Sequence, residues 1–358
     1  MSIISHRNAW LNVLLAVSHA ACTRPNPPAA RAPDIVLPVY TTVVSTESGL
    51  IAYPSALEID DDGQVWIADF VNNRLLCVSP HGEIVRTLGR SGAGPAELDG
   101  PIALLVQDSS LLVVEVRNGR VQDISFSGES LATYRLLGPP GLATLTQDRR
   151  LASPARGETD ALIAVHRLDN PNFPVTLGPR VVAEVSGWDF TSIRARIRDG
   201  IIPDEFRNQA TPVSAVDGGF WVIVQTEAEL RRYSPSGTLE WTRVLDFPEI
   251  QHARADFFRK NNEESNPAMI HTLVTVTDAQ EVGSELWLMP VIAPGGQGAI
   301  YVLSRTDGSI LRRLVFETPN QPNQFAVDLV RGRLYVSIPD DASLIAIPLD
   351  VAAAQTNN

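Results

Sequence analysis

A tandem repeat of short strands constrains this chain more than any other feature. From about residue 50 one unit recurs: an apolar strand, an acidic turn, an aromatic-rich strand, a polar turn, an apolar strand, a glycine turn and a last strand. The clearest copy is YPSALEIDDDGQVWIADFVNNRLLCVSPHGEIVRTLG, residues 53–89. Leu57 and Ile59 alternate with polar neighbours, the period of a half-buried strand. Asp61-Asp62-Gly63 then supplies a turn with a residue suited to positive φ. Copies follow at 101 and 212, another spans 272–316, and a shorter one spans 322–349. Trp221 stands in the copy at 212 where Trp66 stands in the first. The stretch 141–185 is a degraded copy without the aromatic marker.

Six units of four strands, the last one short, leave an edge to be closed. The final copy runs out after its third strand, and DIVLPVYTTVV, residues 34–44, is a spare strand ahead of the first. A ring closed by its own N-terminal strand has no open sheet edge. The expected fold is therefore all-β: a six-bladed β-propeller of four-stranded blades over 34–350, closed by the N-terminal strand. Residues 35–350, less two insertions, leave about 44 per blade, close to the usual repeat length. The insertions, 186–209 and 247–269, have helical character and fall at blade-to-blade connections. Long ordered loops are more often functional, and both are expected to cover one face above the central funnel.

Asp60, Gly63, Trp66, Ala68, Asp69, Asn73 and Arg74, with the exit loop GRSGAGPAEL, carry a resemblance. They resemble NHL repeats, which build six-bladed propellers. Leu98 stands where that repeat has Phe, and Ser79-Pro80-His81-Gly82 replaces its final Asp-Gly turn. The glycines of LGRSGAGPAELDG, residues 88–100, suit a sharp crossing between blades. A phosphate loop would instead open a helix, usually with a lysine. Related rings include lactonases, streptogramin lyases and peptide-amidating lyases, so the resemblance also admits an enzyme with a metal in the channel.

The N-terminus points to export. Arg7 precedes a short apolar run, residues 9–17, followed by SHAAC. A basic start, a short apolar core and small residues form a secretory signal, expected over 1–21. Ala20-Ala21-Cys22 resembles the lipobox of bacterial lipoproteins, which implies lipidation at Cys22. His19 departs from that pattern, so plain cleavage after Ala20 or Ala21 stays open. Residues 22–33 are Pro-rich and form a tether, and 351–358 form a C-terminal tail. Cys77 is then a lone thiol, or else a partner for an unlipidated Cys22. The net charge of −12 argues against a nucleic-acid partner, which needs a basic footprint.

Strand direction places the candidate site. Loops leaving the last strand of a blade share a face with loops joining its second and third strands. Asp69, Asn72, Glu115, Arg117 and Gln225 fall on that face, with Arg194 and Arg254 from the insertions and His271 at the channel mouth. Arginines recognise carboxylates and phosphates, although Asp199, Asp204, Glu205, Asp256, Glu263 and Glu264 offer them partners nearby. The histidines have no metal-ligand spacing and the acidic turns lack the pattern of a calcium loop. No cofactor and no catalytic residue is assigned, though a channel calcium or magnesium ion stays open. The reading is a monomeric, exported, lipid-anchored binding module of the bacterial envelope. It would present this face to a protein, peptide or glycan, with a propeller hydrolase or lyase as the alternative.

Overall fold

The computed structural model describes residues 33–45, 50–136, 141–155, 160–172, 174–182 and 187–350. The expected signal segment, Cys22, the tether up to residue 32 and the tail 351–358 lie outside them.

The chain enters through β1 (Asp34–Val36) and β2 (Thr41–Val44). Six sheets follow, each hydrogen-bonded in sequence order except where the ring closes. Blade one is β3 (Pro54–Ile59), β4 (Val65–Asp69), β5 (Arg74–Val78) and β6 (Ile84–Leu88). Blade two is β7 (Pro101–Val106), β8 (Ser110–Glu115), β9 (Arg120–Ser125) and β10 (Ser130–Arg135). Blade three is β11 (Thr144–Leu145), β12 (Arg150–Pro154), β13 (Ile163–Arg167) and β14 (Val175–Leu177). Helices α1 (Phe190–Arg198) and α2 (Asp204–Arg207) lead into blade four. That blade is β15 (Ala210–Ser214), β16 (Phe220–Val224), β17 (Glu229–Tyr233) and β18 (Leu239–Val244). Helix α3 (Pro248–Glu263) precedes blade five: β19 (Val276–Val282), β20 (Glu285–Pro290), β21 (Gly298–Ser304) and β22 (Ile310–Phe316). Blade six is β23 (Gln324–Asp328), β24 (Arg333–Ile338) and β25 (Ser343–Pro348), completed by β2.

The protein is a six-bladed β-propeller. The closing segment differs from the single strand expected over 34–44. It is split: β2 pairs antiparallel with β25 and closes blade six, while β1 pairs parallel with β22 and adds a fifth strand to blade five. Pro38 falls in the break between the two strands, where a residue without an N–H can join no ladder. The degraded copy at 141–185 is a true blade, with an inner strand of two residues.

Radial stacking explains the strand pattern. Each sheet packs against a neighbour on both faces, so alternate residues enter different cores. In β4, Val65 and Ile67 pack with Tyr335 and Leu344 of blade six. Trp66 and Ala68 pack with Leu104 and Val113 of blade two. The whole of β4 is thus buried, as are β8 and β16. Six such cores alternate with six blades and complete the ring. A seventh cluster lies in the insertions, where Ile193 and Ile197 of α1 and Phe206 of α2 meet Ala253 and Phe257 of α3.

Candidate functional site: the central channel

Three of the expected face residues prove to be latches. Asp69 and Glu115 are the last residues of the second strands of blades one and two, Gln225 follows the second strand of blade four by one residue, and all three are buried. The Asp69 carboxylate accepts from the Tyr53 N–H at 3.1 Å and from Asn72 Nδ2 at 2.8 Å. It is also approached by Arg74 at 3.4 Å. Glu115 accepts from the Asp99 N–H (2.9 Å), Asn118 (2.6 Å), Arg120 (2.7 Å) and Gln122 (2.8 Å). Gln225 Oε1 accepts from the N–H groups of Thr275 (2.9 Å) and Val276 (3.1 Å). Each ties a second strand to a segment entering an inner strand. This is how buried polar groups are ordinarily satisfied.

The remaining candidates are also engaged. Arg117 bonds Asp99 at 3.2 Å and lies over the Phe70 ring at 4.7 Å. Arg194 donates to the carbonyls of Glu264 (3.2 Å), Met269 (2.7 Å) and Asn266, pinning the loop after α3. Arg254 donates to the Thr226 carbonyl at 3.0 Å. His271 Nε2 lies 3.2 Å from the Glu264 carboxylate, in the same loop that Arg194 holds. Asn72 and Arg117 stay in the turns of blades one and two. The insertions themselves pair internally, as in Arg196–Glu205 at 2.6 Å and Lys260–Asp256 at 2.7 Å. They pack on one another, and none of their described helical residues lines the channel. The exit loop is held from blade two, where Arg120 donates to the carbonyls of Ala93 (2.7 Å), Gly94 (3.0 Å) and Glu97 (2.8 Å), and by a contact of its own. The Glu97 carboxylate accepts from the Gly94 N–H at 2.8 Å and from Arg90 at 3.0 Å.

The concave site is the channel, about 1050 Å³, walled by the inner strands of all six blades. Tyr53 and Val274 stand at its mouth on the face of the blade crossings, each more than a third exposed. Ile59, Ile102 and Ala103 give it apolar wall, while Thr277, Gln280 and Gln324 give it polar wall. Gln225 is the one expected site residue among the described lining groups.

Two half-buried carboxyls line this wall that sequence reasoning did not single out: Glu58 on β3 and Asp278 on β19. Burial pushes Glu58 up to about 8, helped by the negative charge of Asp278. Burial also pushes Asp278 up to about 7, against the pull of backbone N–H groups from Phe325 and Ala279. Those N–H groups sit 2.8 and 2.9 Å from its two oxygens. A register shift between Val276 and Asp278 turns the carboxyl toward blade six. Glu58 feels the charge of Asp278, so the titration of Glu58 depends on the state of Asp278. Near neutral pH such a pair holds and releases protons. Glu58 had counted as a polar neighbour on a half-buried strand. In a propeller, however, an inner strand has no solvent face except the channel, and its polar positions are the signal.

The other lining carboxylates have arginine partners. Asp148 pairs with Arg150 at 2.8 Å. Asp217 pairs with Arg232 and Arg305, both at 2.5 Å, and Glu281 with Arg305 at 3.2 Å. Burial alone would raise Asp217, but bonds from Arg232, the Gly219 N–H and Arg305 hold it at about 2. Among the described residues no three His, Cys, Asp or Glu side chains come together to hold a metal ion. Each Asp278 oxygen already accepts one backbone N–H.

No protein-family model matches the chain, and no curated protein matches it. Solved structures share its fold. A Xanthomonas campestris gluconolactonase is 14% identical, with TM-score 0.53, over 91% of this chain and 99% of that one. A candidate exported protein of Bacteroides fragilis is 12% identical, with TM-score 0.52, over 86% and 93%. The WD40 repeats of RRP9 are 9% identical, with TM-score 0.53, over 87% and 99%. An enzyme, a candidate exported protein and a WD40 repeat protein share this architecture at such low identity, so the likeness establishes the ring alone.

Proposed function

We propose that this is an exported, envelope-anchored binding propeller that takes a small molecule, or one residue of a peptide or glycan, into its central channel. One observation carries the reading: a cavity of about 1050 Å³ with mixed walls converges on two proton-labile carboxyls. A concave, partly apolar site with a few perturbed titratable groups is the usual form of a ligand pocket. The export half of the reading rests on the basic, apolar and small-residue order of residues 7–22, with lipidation at Cys22. The repeat is read as NHL-like on the motif of the first blade. No described helix is long and apolar enough to cross a membrane.

A second reading, a hydrolase or lyase, has one observation in its favour. Glu58 and Asp278 hold protons in the range where general acids and bases work. In that case one carboxyl, still protonated, would donate to a leaving oxygen, and the other would accept a proton from the attacking or departing group.

The test is thermal-shift screening of a small-molecule library against wild type and two channel-filling variants, Ser214→Trp and Ala103→Trp. Ser214 lines the channel on blade four and Ala103 on blade two. Compounds that stabilise wild type but neither folded variant support the site. Compounds that stabilise all three equally bind elsewhere and defeat the reading. Turnover of a compound, lost in Glu58→Gln while binding remains, would move the conclusion to the enzyme.

A further inference from the structure

The charge of the channel wall is one-sided. Its described lining includes Glu58, Asp148, Asp217, Asp278 and Glu281, and no Arg, Lys or His. This is unusual in a chain with 29 basic residues to 41 acidic ones, where a wall of this size would ordinarily include some of each sign. Three of the five carboxylates are neutralised from behind by Arg150, Arg232 and Arg305. Glu58 and Asp278 have no ion-pair partner among the described residues.

The other charged groups near them are accounted for. At the end of β3, Asp60 accepts from the Gln64 N–H and from Trp66 Nε1, each at 2.9 Å. At the end of β23, Asp328 is held by Arg331 at 3.1 Å. Inner strands β7, β11 and β15 offer no titratable side chain between their ends. Among the described residues, the surrounding elements therefore supply no counter-charge for Glu58 and Asp278. Low-dielectric walls of one sign focus a field that concentrates the opposite charge.

We propose that the channel binds an organic cation, a small molecule with a protonated amine that supplies the counter-charge between Glu58 and Asp278. This rests on the reading of the channel as the ligand site and names its ligand class. The amine end would lie deep, at the carboxyls. A hydrocarbon body would lie along Ile59, Ile102 and Ala103. A bare metal ion suits the site less well. Both Asp278 oxygens already accept backbone N–H groups, and the apolar wall would be left without a partner. Because both carboxyls are held partly protonated at neutrality, cation binding must displace protons, and affinity must rise with pH.

The experiment uses three chains of equal length: cadaverine, pentanediol and glutarate, with calcium chloride as a fourth probe. Binding to the full-length protein is measured by isothermal titration calorimetry at low salt. Cadaverine is expected to bind about tenfold or more tightly at pH ~9 than at pH ~6, as one or two opposing charges appear within contact range. It should release protons on binding, and the pH dependence should vanish in the folded double variant Glu58→Gln/Asp278→Asn. Pentanediol and glutarate should bind at least about tenfold more weakly at the higher pH. Glutarate or pentanediol matching cadaverine, with all binding lost in Ser214→Trp, would overturn the cation class and leave the channel site standing. Cadaverine binding equally to wild type and Ser214→Trp would overturn both. Calcium binding more tightly than cadaverine, or no cadaverine binding at all, would overturn the proposal.

Discussion

Replacing Glu58 by Gln should stabilise the protein at alkaline pH and leave it nearly unchanged in mild acid. The folded state holds this carboxyl up to about 8, against an ordinary value of 4.5, chiefly by burial. Between those values the folded protein binds a proton that the unfolded chain has lost. Stability from this group is therefore complete below about pH 4.5 and declines as pH rises through about 8. At about 1.4 kcal/mol per pH unit, the full span is worth up to about 5 kcal/mol. Water in the channel and the shared charge with Asp278 reduce this, so about 2 kcal/mol is a fair lower figure. Asp217 moves the opposite way in a separate window. Its carboxyl is held at about 2, so it stabilises above its ordinary range and fails only in strong acid. Urea unfolding followed by tryptophan fluorescence, from pH ~5 to ~9, reads the difference. Wild type should lose about 2–5 kcal/mol more than Glu58→Gln over that range. Parallel curves for the two proteins, within about 0.5 kcal/mol, would refute the buried-carboxyl argument.

Further outcomes follow from the same structure. Glu115→Ala removes the carboxylate that holds Arg120, Asn118 and Gln122. It should lower unfolding free energy by about 3–5 kcal/mol, because Arg120 loses its carboxylate and keeps only the carbonyls of Ala93, Gly94 and Glu97. Gly100 has φ +65° and an N–H bonded to Asn73 Oδ1 at 2.7 Å. An added Cβ would lie 2.9 Å from Val116 Cγ1, so Gly100→Ala should cost about 1–3 kcal/mol in the same assay. Deleting residues 33–45 removes β1 and β2 and bares β25. The truncated chain should aggregate or melt at least about 10 °C lower in a calorimetric scan. An unchanged melting point would show that the ring does not depend on this closure.

The fold was legible because turn chemistry and aromatic markers recur with each blade. Trp66, Trp221 and Trp287 each fill the gap between blades, so the repeat in sequence reflects a repeat in packing. The split between β1 and β2 was harder to read. Residues 34–44 look like one extended run, and only the pairing with two different blades separates them. The site was less legible still. Asp69, Glu115 and Gln225 attracted notice as polar groups at loop ends, yet their hydrogen bonds all point inward to hold those loops. Glu58 and Asp278 sit within strands, where single polar residues in alternating patterns look solvent-facing. Their neighbourhood is set by residues up to several blades away, and local pattern does not reveal it.

The most direct measurement is the titration of the two channel carboxyls themselves. With ¹³C-labelled Glu and Asp side chains, resonances assigned through Glu58→Gln and Asp278→Asn can be followed by NMR across pH. The account predicts midpoints near 8 for Glu58 and near 7 for Asp278, with the Glu58 midpoint falling when Asp278 is replaced by Asn. Midpoints near the ordinary 4.5 and 3.8, each indifferent to the other substitution, would contradict it.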